Sequence, residues 1–402
     1  MNLQGDNKRL ILAAIATLAF ALVPFIPGAP DHYLFFYLFM VFVYATVAQS
    51  WNVVAGYTGQ ISLSQHAFFG IGGYTTALLA THFFDGGGFY FNPLLLLASG
   101  LVAALFAVAI GIPLLSKLAG DYFALGTLGL GEIVRVLLIK GGSFTGGSAG
   151  VSMSPEPFDT LKPHYWVGLL LAVGSTAAVA WMARSRTGLA LMAVREDPIA
   201  AAASGVPVLR VKVGAFAAGA FVAGLAGSLY AFYVFAVSPG GFLNLSWTLY
   251  PILMCVMGGS GTVLGPVLGA FVMTAVFTAG NIYLPGAHPI VSGALIILVM
   301  LFMPNGILRV REGRARARKT GQQVEKVLQT VGQAFFLGQL FHALGTDHRQ
   351  LAFELGNPGF QQAVGVSQLA GHLVEQGKRL LKPKAADLLY GGGRPLNVRD
   401  RR

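Results

Sequence analysis

The chain has 402 residues, 55% hydrophobic and only 11% charged, with a formal net charge of +11. Soluble domains carry about 25% charged residues, so this composition excludes a water-soluble globular protein and requires a membrane, where a spanning helix needs roughly 20 mostly apolar residues. The single cysteine, Cys255, excludes both a disulfide framework and a thiolate metal site.

Taken in chain order, apolar runs near 10–28, 33–55, 61–82, 93–116, 119–139, 165–183, 213–236, 247–260, 263–283 and 288–308 predict an all-α polytopic protein of about ten transmembrane helices. Lys8 and Arg9 precede the first run. The 184–212 connection carries Arg184, Arg186, Arg195, Arg210 and Lys212 against Glu196 and Asp197, and a basic cluster opens at Arg309. From Arg309 onward there are 16 basic and 7 acidic residues. Such a tail would suit nucleic acid, but behind membrane helices it marks the cytoplasmic side. The basic sites share one side only if an even number of spans separates each pair; six and then four satisfy this, with both termini cytoplasmic. A cleaved signal peptide is the other reading of the first run. Phe25–Pro30 makes a poor cleavage site, and removal would spoil the even count.

The runs 247–260 and 263–283 flank Gly258-Gly-Ser-Gly-Thr-Val-Leu-Gly-Pro266. Glycine- and proline-broken segments at membrane depth require cover from protein or a water-filled cavity and often point to transport sites; a tight turn between two spans accounts for them equally well. Gly261, Gly265 and Gly269 recur every four residues, as do Gly219, Ala223 and Gly227, and are read as helix-packing stripes.

Two polar constellations interrupt the apolar runs. Gln60, Ser62, Ser64, Gln65 and His66 open the third run. Each needs a partner, because unpaired polar groups are costly in hydrocarbon. A helix interface supplies one for any single residue; for the cluster a pathway or gate is favoured. Glu132 and Arg135, three residues apart, share a helix face about 20 Å along the fifth run at 1.5 Å per residue. Charges at that depth are expected to face the bundle interior or a cavity; the alternatives are a neutralising structural pair and a gating pair.

Enzymatic chemistry finds no support. The sequence has neither His-Glu-x-x-His nor Cys-x-x-Cys, and no Gly-x-x-x-x-Gly-Lys-[Ser/Thr] phosphate loop, so the chain is not expected to hydrolyse ATP itself. The histidines lack ligand spacing, and no metal is expected. Gly146-Gly-Ser-Ala-Gly150 matches the hydrolase nucleophile elbow, but that motif needs a strand before it and a helix after it. Here it lies between two predicted membrane helices and is a chance match.

Six stretches carry a resemblance. Gly56–Ala67, Gly120–Arg135, Thr145–Val151, Val194–Lys212, Met257–Pro266 and Met303–Leu308 resemble, in order and at the usual spacing, the permease subunits of branched-chain amino acid ABC importers, particularly the M-type subunit. The likeness covers residues 30 to 310. It implies an ABC importer permease-like bundle with glycine-rich broken segments over 1–312, in a bacterial-type inner membrane. It also implies an H-type permease partner, two separate ATPase subunits that use the ATP, and a periplasmic or extracellular solute-binding protein. No cofactor is expected on this chain and no nucleic acid. Alternating access would import leucine, isoleucine, valine or a related small solute; urea and short amides stay open.

The resemblance further implies that the charged 195–205 stretch is a coupling loop docking on an ATPase. The family pattern Glu-Ala-Ala followed by Gly aligns with Ile199, Ala200, Ala201 and Gly205, so isoleucine replaces the glutamate. Arg195, Glu196 and Asp197 precede it; Asp197 is placed to cap a helix ahead of Pro198, and Gly205 to end it. Residues 313–402 are a basic cytoplasmic tail without an assigned role, with an amphipathic pattern across Gln322–Leu344 and low order expected beyond Pro383. The rival function is a free-standing secondary transporter or channel, which leaves the alanine-rich loop without a use; a polytopic membrane enzyme ranks third.

Overall fold

The structure, a computed structural model, describes residues 17–25, 33–83, 92–153 and 161–283. The predicted span near 288–308, part of that near 10–28, the Met303–Leu308 stretch and the tail from 313 lie outside the described residues.

Eleven helices are named here. α1 (Tyr33–Trp51) continues into a π-helical segment, Asn52–Tyr57, and is followed by α2 (Gln65–Phe83), α3 (Pro93–Lys117), α4 (Asp121–Lys140) and α5 (Lys162–Arg184). The short α6 (Arg186–Glu196) and α7 (Pro198–Ala203) lead to α8 (Val208–Val234), the four-residue α9 (Pro239–Phe242), α10 (Ser246–Gly258) and α11 (Gly265–Tyr283). A two-residue strand, β1 (Val151–Ser152), pairs antiparallel with β2 (Ala236–Val237), placing Val151 opposite Val237. The elbow-like Gly146–Gly150 therefore follows a helix and precedes a strand, the reverse of the order a nucleophile elbow needs.

Among the described residues six helices are long and apolar enough to cross a membrane: Tyr33–Tyr57, Pro93–Lys117, Asp121–Lys140, Lys162–Arg184, Val208–Val234 and Pro239–Gly258. With the run near 288–308 and part of that near 10–28 outside the described residues, the expected ten are not confirmed. α2 is diluted by Gln65, His66, Thr75, Thr76 and Thr81, and α11 offers only a shorter apolar stretch, Gly265–Gly280. The chain is nonetheless a multi-pass, mainly helical membrane protein.

Helix ends follow their local chemistry. The Asn92 side chain accepts from Leu94 N at 2.8 Å ahead of Pro93, which needs no donor at that position. Ser185 caps α6 by accepting from Gly188 N at 3.3 Å. α1 and α8 are buried along most of their length, whereas α3, α4 and α5 keep large apolar side chains exposed, among them Leu101, Leu105, Ile133, Leu137, Leu170 and Trp181. These belong against lipid or another protein.

α8 packs along α2 and α3, and α1 lies against α5 and α11. Because lipid tails are as apolar as leucine, expelling water does not drive such contacts; close backbone approach and interhelical hydrogen bonds do. A Cβ on Gly72 would stand inside the backbone of Gly224, and one on Gly227 inside that of Phe69. At the same crossing the Thr76 hydroxyl lies 2.7 Å from Ser99 Oγ and donates to Ser228 Oγ at 2.6 Å, joining α2, α3 and α8 through buried hydroxyls. Phe69 stacks on Trp247 with ring centroids 4.0 Å apart, beside Tyr230 and Phe242.

Replacing Gly72 with leucine is expected to force α2 and α8 apart, at a cost of about 1–3 kcal/mol from overpacking. Thermal unfolding of the detergent-solubilised protein should fall markedly for G72L. It should hardly move for G174L, where nothing lies within 4 Å of the added Cβ.

Candidate functional site: two helix breaks and a polar link

The first break separates α1 from α2. After the π-helical turn the chain runs without helical structure from Gly59 to Ser64, and α2 begins at Gln65 rather than at residue 61 as the apolar run suggests. The freed backbone is met by side chains. Trp51 Nε1 donates to Ser62 O at 2.9 Å, and Leu63 N donates to Thr127 Oγ1 at 2.9 Å. His66 N donates to Thr248 Oγ1 at 2.8 Å, the same oxygen that lies 2.9 Å from His66 Nδ1. Ser62 and Ser64 share a 2.9 Å hydroxyl bond.

The His66 ring lies against Gly131, where any Cβ would overlap it. Gly131 is about 15 Å along α4 from Asp121 at 1.5 Å per residue, so α2 starts beside the middle of α4 and not beside its end. Three side chains at this break carry buried polar atoms that lack a hydrogen-bond partner among the described residues: Gln60 Oε1, both amide atoms of Gln65, and His66 Nε2. Such groups are costly in an apolar medium, and they concentrate polarity at one depth of the bundle.

The second break lies between α10 and α11. Gly261 adopts φ +76, a conformation glycine enters at no steric cost. Asn52, in the first turn of the π segment, closes this turn. Its Oδ1 accepts from Gly261 N at 2.8 Å, while Nδ2 donates to Thr262 O at 2.9 Å and to Gln49 Oε1 at 3.2 Å. Gln49 Nε2 donates in turn to Val263 O at 2.7 Å and to Thr176 Oγ1 at 3.3 Å. The expected Gly261–Gly265–Gly269 stripe is not one helix face. Gly261 sits in the turn against Gly56, Gly265 opens α11 against Gly258, and Gly269 lies against the Met254 backbone. A four-residue period over a turn carries no helical meaning.

The charged 195–205 stretch forms the end of α6, α7 and the turn beyond. Asp197 Oδ1 accepts from Ile199 N at 2.8 Å and from Ala200 N at 3.2 Å, and Gly205 ends the segment at φ +83. Ala201 is buried; Glu196, Asp197 and Ala200 are exposed, and Ile199 is 82% exposed. Arg195 points the other way: its Nη1 donates to Gly56 O at the end of the π segment. α6–α7 thus reaches the first break directly, and through Asn52 the second.

Glu132 and Arg135 form the ion pair that their spacing predicts, with Oε2 and Nη1 3.5 Å apart. Their position corrects the expectation of a pair turned wholly to the interior: Glu132 is 48% exposed on the outer face of α4, and Arg135 is 39% exposed with its Nε buried. The face that α4 buries is instead filled by Thr127, Leu130, Gly131 and Val134. Among the described residues no three of His, Cys, Asp and Glu come together as a metal site.

Residues 33–303 match a family described as the permease component of branched-chain amino acid transport systems. The chain belongs to this family. Similar permeases include the high-affinity branched-chain amino acid transport system permease protein LivM of Salmonella typhimurium, 32% identical over 315 residues, which cover 70% of this chain and 71% of the relative. Its Escherichia coli K12 namesake is 32% identical over 301 residues, 67% of this chain and 68% of the relative. LivH of Salmonella typhimurium is 27% identical over 288 residues, 66% and 91%. The higher identity to LivM agrees with the M-type resemblance. No solved structure matches.

In this permease Asn52, Gln49, Thr127 and Thr248 emerge as site residues that the polar clusters did not single out. Gln49 and Asn52 had left a signal, two amide side chains three residues apart inside an apolar run; the two threonines left none. Asn52→Leu is expected to strand Gly261 N and Thr262 O, each at about 1–3 kcal/mol. A drop in detergent thermal stability of N52L larger than that of N52Q would bear this out; equal stability of N52L and wild type would contradict it.

Proposed function

We propose that this permease is one membrane subunit of an ATP-driven importer of branched-chain amino acids or a related small solute. An H-type permease would form the other half of the pathway. Two separate ATPase subunits would use the ATP, and a solute-binding protein would deliver cargo to the outer face. The chain would lie in a bacterial-type inner membrane with both termini and the α6–α7 segment cytoplasmic. The observation that carries this reading is α7: a capped alanine-rich helix whose small residues admit close approach and whose exposed Ile199 offers an apolar knob to a partner. A free-standing secondary transporter has no use for such an element.

Gln60, Ser62, Ser64, Gln65 and His66 are assigned to the gate, because they meet at a helix start beside the middle of α4. Glu132 and Arg135 are assigned to the boundary with the second permease. A charge at the centre of a membrane helix costs about 2.5–3.5 kcal/mol against lipid, and a protein-lined, hydrated boundary removes much of that cost. Gly129, one turn before Glu132 and with nothing within 4 Å of an added Cβ, lets another helix approach there.

Gentle detergent capture of the tagged chain, with its native neighbours expressed, should recover a second permease and ATPase subunits; a clean homo-oligomer would refute the importer. Gly205→Val strains a residue at positive φ by about 1–2 kcal/mol. It is expected to abolish solute-stimulated ATP hydrolysis while leaving membrane insertion intact. Glu132→Gln should lower recovery of the second permease with the tagged chain, whereas lowered transport by a fully assembled complex would move the pair from the boundary to the gate.

A further inference from the structure

We infer that Arg195 is the positioning residue through which movement of the α6–α7 segment reaches both helix breaks at once. The inference rests on the importer reading and names how its ATPase-facing segment communicates with the membrane.

Three observations converge on this side chain. Its guanidinium Nη1 donates to the carbonyl of Gly56, within the π-helical segment. The same nitrogen stands 2.6 Å from the place a Cβ on Gly261 would occupy, so it touches the turn between α10 and α11 as well. The two backbones meet there: a Cβ on Gly56 would lie 2.7 Å from Gly261 N. Arg195 therefore sits over the junction of the two breaks, and Asn52 and Gln49 hold that junction together from the other side. A planar guanidinium with several fixed donors suits such a two-sided contact better than a flexible ammonium.

The elements on either side differ in what holds them. Arg195 lies two residues before the Asp197 cap, so a shift of α7 is passed to it through one short turn. α6 is seated on the bundle by Gly188, Leu191 and Val194, with Leu191 packed against Val53, Tyr57, Val179 and Ala215. π-helical turns are rare and cluster at functional sites. A contact that ends on a carbonyl of the π segment gives α6–α7 a direct hold on that element, and coupling between distant sites is carried by such contiguous contacts between packed elements.

The test uses the complete importer reconstituted in proteoliposomes, with solute uptake and ATP hydrolysis measured in the same vesicles. Arg195→Gln is expected to assemble with the partner subunits and hydrolyse ATP, but to transport about tenfold less solute per ATP, within the range of typical coupling energies. Arg195→Lys, which keeps a donor for the Gly56 carbonyl, should lie between R195Q and wild type. A wild-type ratio of solute to ATP in R195Q overturns the inference and leaves the importer reading standing. If R195Q fails to assemble, R195K decides: a lowered ratio supports the link and an unchanged ratio overturns it. Uptake by the wild-type complex that needs no ATP overturns the importer reading and the inference together.

Discussion

In hydrocarbon a peptide group that leaves a helix has no water to turn to, and every other feature of this bundle is arranged around that constraint. Among the described residues the chain leaves helical structure inside the bundle at Gly59–Ser64 and at Gly259–Leu264. Both times the freed groups are taken up by side chains from other helices: Thr127 and Thr248 for the first, Asn52 and Gln49 for the second. Each break is thereby stitched to the elements around it. The breaks are not loose joints; they are places where several helices share hydrogen bonds whose loss would leave buried donors and acceptors exposed to an apolar medium.

Close packing follows from the same setting. Without a hydrophobic drive between helices, α8 relies on glycines that bring its backbone against α2 and α3, and on the Thr76–Ser99–Ser228 hydroxyl cluster. Packing of this kind resists compression and permits sliding only between discrete arrangements. An interior so arranged suits the proposed passage of movement from α6–α7 to the helix breaks.

Much of the architecture was legible in the sequence because it rests on periodicity and capping. The apolar runs located α1, α3, α4, α5, α8, α10 and α11 within a few residues, and Asp197-Pro198 with Gly205 marked both ends of the α7 segment. What the sequence hid was direction and company. Glu132 and Arg135 had to be neighbours, but whether they faced inward depended on what Thr127, Gly131 and Val134 pack against, and His66 is a contact from 65 residues away. The four-residue glycine period near 261 imitated a helix because composition is blind to a positive φ. Arg195 read as a charge of the coupling loop facing a partner, since nothing local tells that Gly56 lies within its reach. Hydropathy also overstated uniformity: α2 opens on Gln65 and His66 and carries Thr75, Thr76 and Thr81, and so falls below the apolarity of a simple span.

The ion pair on α4 has an electrical consequence. Because Glu132 finds its counter-charge on the next turn of its own helix, the middle of α4 enters the bilayer as a neutral unit. A membrane potential exerts about 2.3 kcal/mol per elementary charge per 100 mV on an isolated ion. On a pair 3.5 Å apart within one rigid helix the two forces nearly cancel. The polar patch at the centre of this helix can thus sit within a membrane field without the field exerting a net pull on that pair.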